Sequence, residues 1–268
     1  MKKILCPTDF SDAAQSGIAY GAKLAKVINA ELTLLHVHSP IEFVQPQSGK
    51  DLASVTRQLE LQSDEVNRTF HVPCNALVET TLRQLSSVIE NLSGQYDLIV
   101  MGSNGPDNIY QFMTGTNAYN AAIKASVPVL IIPEKYVYSE IRTIVYAFDY
   151  LRERRLPLDK LISFASVLKA ELTVLQVMEE ADSKGADEDL RELQIIIQNL
   201  YTGDVPLKYE TLRSSDVALS VNRYVSNAQA DVLAVCSVHM NFVERLFHKS
   251  VIKTIAATSD SPVFVFHS

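Results

Sequence analysis

The stretch AELTLLHV, residues 30–37, returns as AELTVLQV at residues 170–177. Each copy is a short, nearly continuous apolar run, the pattern of a strand buried on both faces of a parallel sheet. The recurrence extends outward from it. KILCPTDF (3–10) lies against TIVYAFDY (143–150) at the same offset of 140 residues. YDLIVMGS (96–103) matches ADVLAVCS (230–237), and VPVLII (127–132) matches SPVFVF (261–266), both at an offset of 134. The offset changes once, so one connection is shorter in the second copy. A period of this size makes each copy a domain and not a solenoid unit.

Within the first copy the apolar runs are Ile4–Pro7, Leu32–Val37, His71–Val78, Leu98–Met101 and Val127–Ile132. Between them lie stretches of helical periodicity: one opening near Ser11, one through Leu52, Val55, Leu59 and Val66, one through Leu82, Leu85, Val88, Ile89 and Leu92, and one over Thr116–Ala125. Alternating strands and helices predict an α/β fold with right-handed crossovers. The expected architecture is two tandem doubly wound α/β/α domains, each with a five-stranded parallel sheet, over residues 1–134 and 141–268. The polar stretch 135–140 is the expected linker. Val127–Ile132 and Pro262–Phe266 are expected to be hydrophobic edge strands. An uncovered edge of that kind invites pairing, which a tandem chain can satisfy internally as a pseudo-dimer. A further homodimer stays open.

The chain is 47% hydrophobic and 21% charged, which suffices to fill real cores. Its net charge of −7 argues against a nucleic-acid partner. The three cysteines, Cys6, Cys74 and Cys236, are far apart and odd in number, which fits a reducing compartment and not a disulfide framework. The first apolar run, Ile4 to Cys6, is too short for a signal peptide, and no later run approaches a membrane span. A cytoplasmic protein with no membrane partner is expected.

The chemistry concentrates in VMGSNGPDNIYQFMTGTNAY (100–119), where Gly102, Gly105 and Gly115 are followed by Thr116. In a doubly wound sheet, ligands bind beyond the carboxyl ends of the strands. Gly102 and Asp9 would face one crevice if the fourth and first strands are neighbours. Glycines allow sharp turns and close backbone approach to a phosphate. The N–H groups of a helix opening at Gly115-Thr116 suit an anion. The frame G-x2-G-x9-G-[ST] is neither the Walker A loop nor the tight dinucleotide fingerprint.

This frame, preceded by DLIVMG and followed by VPVLIIP, resembles that of the universal stress protein family. ILCPTDFSDAA is similar to the family's opening strand, acidic residue and first helix, and ELTLLHV to its second strand. The resemblance covers the chain as a tandem pair. It implies a site for ATP, or for AMP or ADP, in the first half. It puts Gly102, Gly105, Gly115 and Thr116 on the phosphates, with Met101 and Ser103 flanking the turn. It puts Pro7, Thr8 and Asp9 near adenine and ribose, and Val37 against adenine. Asn117 departs from the small apolar residue that often follows. The loop 103–114 holds no Lys or Arg and carries Asp107. Phosphate charge would then be met by backbone N–H groups, the helix end and Mg²⁺.

The plainer readings are weighed beside these. Asp9 could serve only to cap the helix after it. His36 and His38 lack a third metal ligand and read as packing or exposed residues, and Cys236, His239 and His248 lack a matching fourth ligand for zinc. Cys6 and Cys236 sit in apolar runs, where thiols are inert. No catalytic constellation stands out, so weak ATP hydrolysis is an alternative without a nominated base, and a nucleotide-free scaffold is another. In the second half the glycine frame becomes Cys236, His239, Lys249 and Ser250, while Asp149 keeps the acidic position of Asp9. One nucleotide per chain is expected, in the first half. The second half is then a structural copy or a platform for unknown protein clients.

Overall fold

The computed structural model describes residues 1–40, 51–103, 117–134, 136–148, 158–178, 191, 195, 205–237 and 259–267. It divides into two compact units. The first is Met1–Ser139 together with Pro262–His267, and the second is Glu140–Ser261 with Ser268.

In the first unit the described elements are β1 (Lys3–Pro7), α1 (Asp12–Ile28), β2 (Glu31–His38), α2 (Leu52–Phe70), β3 (Cys74–Thr80), α3 (Leu85–Leu92), β4 (Leu98–Ser103), α4 (Asn117–Lys124) and β5 (Val129–Pro133). The strands pair in the order β3-β2-β1-β4-β5, all parallel. Their apolar runs are buried: Ile4, Leu5 and Cys6 are fully covered, as are Leu32, Leu34 and Leu35. The helix α1 packs on β4, β1, β2 and β5, with α2 beside it over β2 and β3, while α3 packs against α4. The strand Val263–His267 (β10 below) also belongs to this unit. It runs antiparallel to β5, with Val263 opposite Ile131 and Val265 opposite Val129.

The third strand starts later than the apolar run from His71 predicts. His71 stands in the left-handed conformation (φ 57°) and closes α2, its N–H donating to the Asn67 carbonyl. Pro73 follows and has no N–H to give to a ladder, so pairing begins at Cys74. Likewise α3 opens at Leu85, and Leu82 is left 67% exposed.

In the second unit the described elements are β6 (Thr143–Phe148), α5 (Leu158–Leu168), β7 (Glu171–Met178), β8 (Leu207–Arg213), α6 (Val217–Asn227) and β9 (Val232–Ser237); β10 (Val263–His267) ends the chain. The parallel order is β9-β6-β7-β8. The registers reproduce both repeat offsets. Lys3 pairs with Glu31 as Thr143 does with Glu171, and Ile4 pairs with Leu98 as Ile144 does with Val232. One carboxylate device also recurs. Asp97 Oδ2 accepts the N–H groups of Lys2 and Lys3, and Asp231 Oδ2 those of Arg142 and Thr143.

The start of the stretch read as a linker is tied to the first unit. Tyr20 of α1, 2% exposed, meets Tyr138 edge-on at 4.9 Å and Tyr136 at 6.1 Å, and Lys23 Nζ lies 5.6 Å from the centre of the Tyr138 ring. Among the described residues no helix is long and apolar enough to cross a membrane.

Candidate functional site

The candidate site stands on the carboxyl ends of β1, β2 and β4. The register of β1 with β2 closes at Pro7 opposite Leu35, whereas β2 stays paired with β3 through His38 opposite Thr80. His36, Val37 and His38 therefore project past the end of β1. On its other side β1 pairs with β4, and there the strand order reverses. This is the switch point at which open α/β sheets leave a crevice. Continuing the register of β1 with β4 past Leu5 opposite Ile99 sets Thr8 level with Gly102. The topology thus brings Pro7, Thr8, Asp9, Val37, Met101, Gly102 and Ser103 to one end of three neighbouring strands. Asn117 opens α4. Gly105, Gly115 and Thr116 lie outside the described residues.

The turn from β1 into α1 is held by its own polar side chains. The Thr8 N–H continues the ladder to the Leu35 carbonyl at 2.8 Å. Thr8 Oγ1 accepts the Phe10 N–H at 3.0 Å. Asp9 Oδ1 accepts both the N–H of Ser11 at 3.0 Å and its hydroxyl at 2.5 Å. Ser11 is the residue that caps α1, its Oγ accepting the Ala14 N–H at 3.3 Å. Asp9, exposed at the crevice, therefore braces the cap and is not itself the cap. Short polar side chains that bond their own backbone two residues on are what this Thr-Asp-x-Ser run supplies.

Between those braces Phe10 takes φ 66°, a left-handed conformation that is costly for a bulky residue. Its ring lies 4.8 Å from that of His36, at an interplanar angle of 31°. His36 Nδ1 lies 2.8 Å from the Thr8 carbonyl oxygen. A carbonyl only accepts, so Nδ1 carries the proton and donates. These two contacts fix the His36 ring against the turn. Among the described residues no group of three His, Cys, Asp or Glu side chains converges as a metal cage.

Gly102 has a reason inside the protein for lacking a side chain. A Cβ there would overlap the carbonyl of Ala13 in the first turn of α1. A Cβ on Gly17 would in turn lie 2.5 Å from the Gly102 nitrogen and 3.0 Å from the Met101 carbonyl carbon. One turn further along, a Cβ on Gly21 would come 2.7 Å from Cys6 Sγ. These glycines let α1 lie directly on the ends of β1 and β4, which seats the Thr8–Ser11 turn beside Gly102. Burial in this contact pushes the Cys6 thiol well up, with Cys74 adding to the effect, so Cys6 is an unreactive core residue.

The second unit changes the same positions together. By the offsets that the registers reproduce, Cys6 and Gly21 become Tyr146 and Leu161, both fully buried. Two small neighbours have become two large ones, so α5 cannot lie on β6 as α1 lies on β1. Thr8 becomes Phe148, buried and 5.7 Å from Tyr146, and has no oxygen to accept the N–H two residues on. His36 becomes Gln176, and Gly102 becomes Cys236. Asp149, His239, Lys249 and Ser250 lie outside the described residues.

Of the residues that build the turn, sequence reasoning missed Phe10, Ser11 as the partner of Asp9, and Gly17. The signal was present in T-D-F-S, where three capping side chains surround one bulky residue. The need for Gly17 appears only once α1 is placed on β4.

The profile of the universal stress protein family matches this chain twice, over residues 1–133 and 140–267. The chain belongs to the universal stress protein family. Universal stress protein MJ0577 of Methanocaldococcus jannaschii is 27% identical over 157 residues, which cover 50% of this chain and 96% of that protein. Among solved structures, a universal stress protein from Archaeoglobus fulgidus superposes with a TM-score of 0.72 at 17% identity, covering 99% of this chain and 96% of the other. A putative universal stress protein from Pseudomonas aeruginosa gives 0.68 at 17% identity, covering 100% and 93%. The last two likenesses concern the fold, and the fold they share is that of a tandem universal stress protein.

Proposed function

We propose that this chain is a nucleotide-binding regulatory protein that holds one adenine nucleotide, ATP, in the crevice of its first unit. The second unit then serves as a structural or client-binding copy. The observation that carries this reading is the braced turn Thr8–Ser11 seated beside Gly102 at the switch point, an arrangement the second unit cannot repeat with Phe148 and Cys236 in those places. The glycine frame of the sequence adds Gly105, Gly115 and Thr116 as donors to phosphate.

In this reading Asp9 faces the ribose hydroxyls as an acceptor, and Val37 packs on the base from the part of β2 that outruns β1. Gly102 and Ser103 begin the phosphate turn, and Asn117 lies on the helix that follows it. A Mg²⁺ ion held mainly by phosphate oxygens and water needs no protein cage of its own. Bound Mg²⁺ would supply positive charge that a loop without Lys or Arg lacks. The three buried thiols suit a reducing cytoplasm.

The test is mass spectrometry of small molecules released from the purified, denatured protein, with Thr8→Phe as comparison. This substitution copies the second unit's residue into the first. The reading expects an adenine nucleotide from the natural chain and a large loss from Thr8→Phe in a protein that still folds. Absence of nucleotide from the natural chain, together with no binding of added ATP, contradicts it.

A further inference from the structure

We propose that His36 reads the 6-amino group of the bound purine through Nε2. The inference rests on the nucleotide reading above and assigns a specificity-determining residue within that same site. Three observations converge on it. The Nδ1 proton is committed to the Thr8 carbonyl at 2.8 Å, so in the neutral ring Nε2 bears the lone pair and can only accept. The ring plane is set by that bond and by the Phe10 ring at 4.8 Å. His36 also stands on the part of β2 that continues beyond the last β1 pair, beside Val37, at the mouth of the crevice. The ring is only partly buried, and among the described residues the one hydrogen bond of its side chain is that of Nδ1.

A histidine whose tautomer and orientation are both fixed by a backbone carbonyl is an acceptor of defined direction. The same second-atom logic orients metal-bound imidazoles. A hydrogen-bond donor on the ligand matches an acceptor held in this way. Adenine's exocyclic amino group is such a donor, and guanine and hypoxanthine present an acceptor at that position. A site built to bond a donor discriminates against an analogue lacking it, because its own polar atom is then left unpaired. The left-handed Phe10 becomes intelligible on this account. Its strained backbone conformation places the ring against which the imidazole is held.

The experiment is a binding cycle on the full chain, stripped of copurified ligand. It compares ATP with purine riboside triphosphate, which lacks only the 6-amino group. The second protein is His36→Phe, which keeps a ring against Phe10 and loses the acceptor. The natural chain is expected to prefer ATP by about tenfold, and His36→Phe to reduce that preference by about fivefold, the scale of one net hydrogen bond. Because the readout is a ratio, a general loss of affinity from the severed Thr8 contact does not move it. If His36→Phe is unfolded, the same cycle with His36→Leu serves. An unchanged preference in the variant, or no preference in the natural chain, overturns the role of His36 and leaves nucleotide binding standing. A natural chain that binds neither compound overturns both.

Discussion

The backbone nitrogen of Gly102 occupies the place where a side chain on Gly17 would have to go, with 2.5 Å between them. This contact seats α1 on β4 and with it the turn that carries Asp9. In an ordinary helix interior, replacing glycine by alanine gains about 1 kcal/mol. At position 17 the sign should reverse, because the methyl group meets backbone that cannot rotate away. Gly17→Ala is expected to lose about 2 kcal/mol, within the range for overpacking, as measured by urea denaturation. A variant as stable as the natural chain contradicts the contact.

Phe10 allows a test of backbone strain free of its side-chain packing. Both Phe10→Ala and Phe10→Gly remove the ring from His36, but only glycine takes φ 66° without a Cβ penalty. Phe10→Gly should therefore be the more stable of the two by about 1 kcal/mol, the lower end of the left-handed penalty. Thermal unfolding of the pair decides it, and equal stability, or alanine ahead, contradicts a left-handed Phe10.

Asp97 gives the protein a pH dependence of known sign. The Lys2 N–H holds its carboxyl below the usual range, with further help from the Lys3 N–H and the amino terminus. A depressed folded pKa contributes stability that is present above the unfolded value, about 3.9, and is lost as pH falls through the folded one. The group is largely exposed, so solvent screening keeps its contribution below about 1 kcal/mol. Asp97→Asn should be less stable than the natural chain at pH 7, and the gap should shrink as the pH falls below about 4. A gap that widens in acid contradicts the assignment.

The sequence revealed most where the physics is periodic. The two repeat offsets follow from apolar runs that fill the same sheet positions; the registers of Lys3 with Glu31 and Thr143 with Glu171 reproduce the first, and those of Ile4 with Leu98 and Ile144 with Val232 the second. The helix start near Ser11 was equally legible, since a helix start needs an oxygen at one place, although the plainer reading gave that oxygen to Asp9 and the structure gives it to Ser11. The start of β3 was not, because His71 extends an apolar run while its left-handed backbone ends the preceding helix. The internal reason for Gly102 was illegible for a different cause. Sequence shows that a side chain is missing, and only the placed helix shows what fills the space. The Tyr20–Tyr138 contact escaped notice because one partner lay in a stretch read as linker.

The loss of Thr8, Gly21 and Gly102 from the second unit, each replaced by a larger apolar or thiol side chain, makes stoichiometry the decisive quantity. Calorimetric titration of the ligand-free full chain with ATP and Mg²⁺ measures it directly. The account predicts a value near one nucleotide per chain. A value near two, or no heat of binding at all, would contradict it.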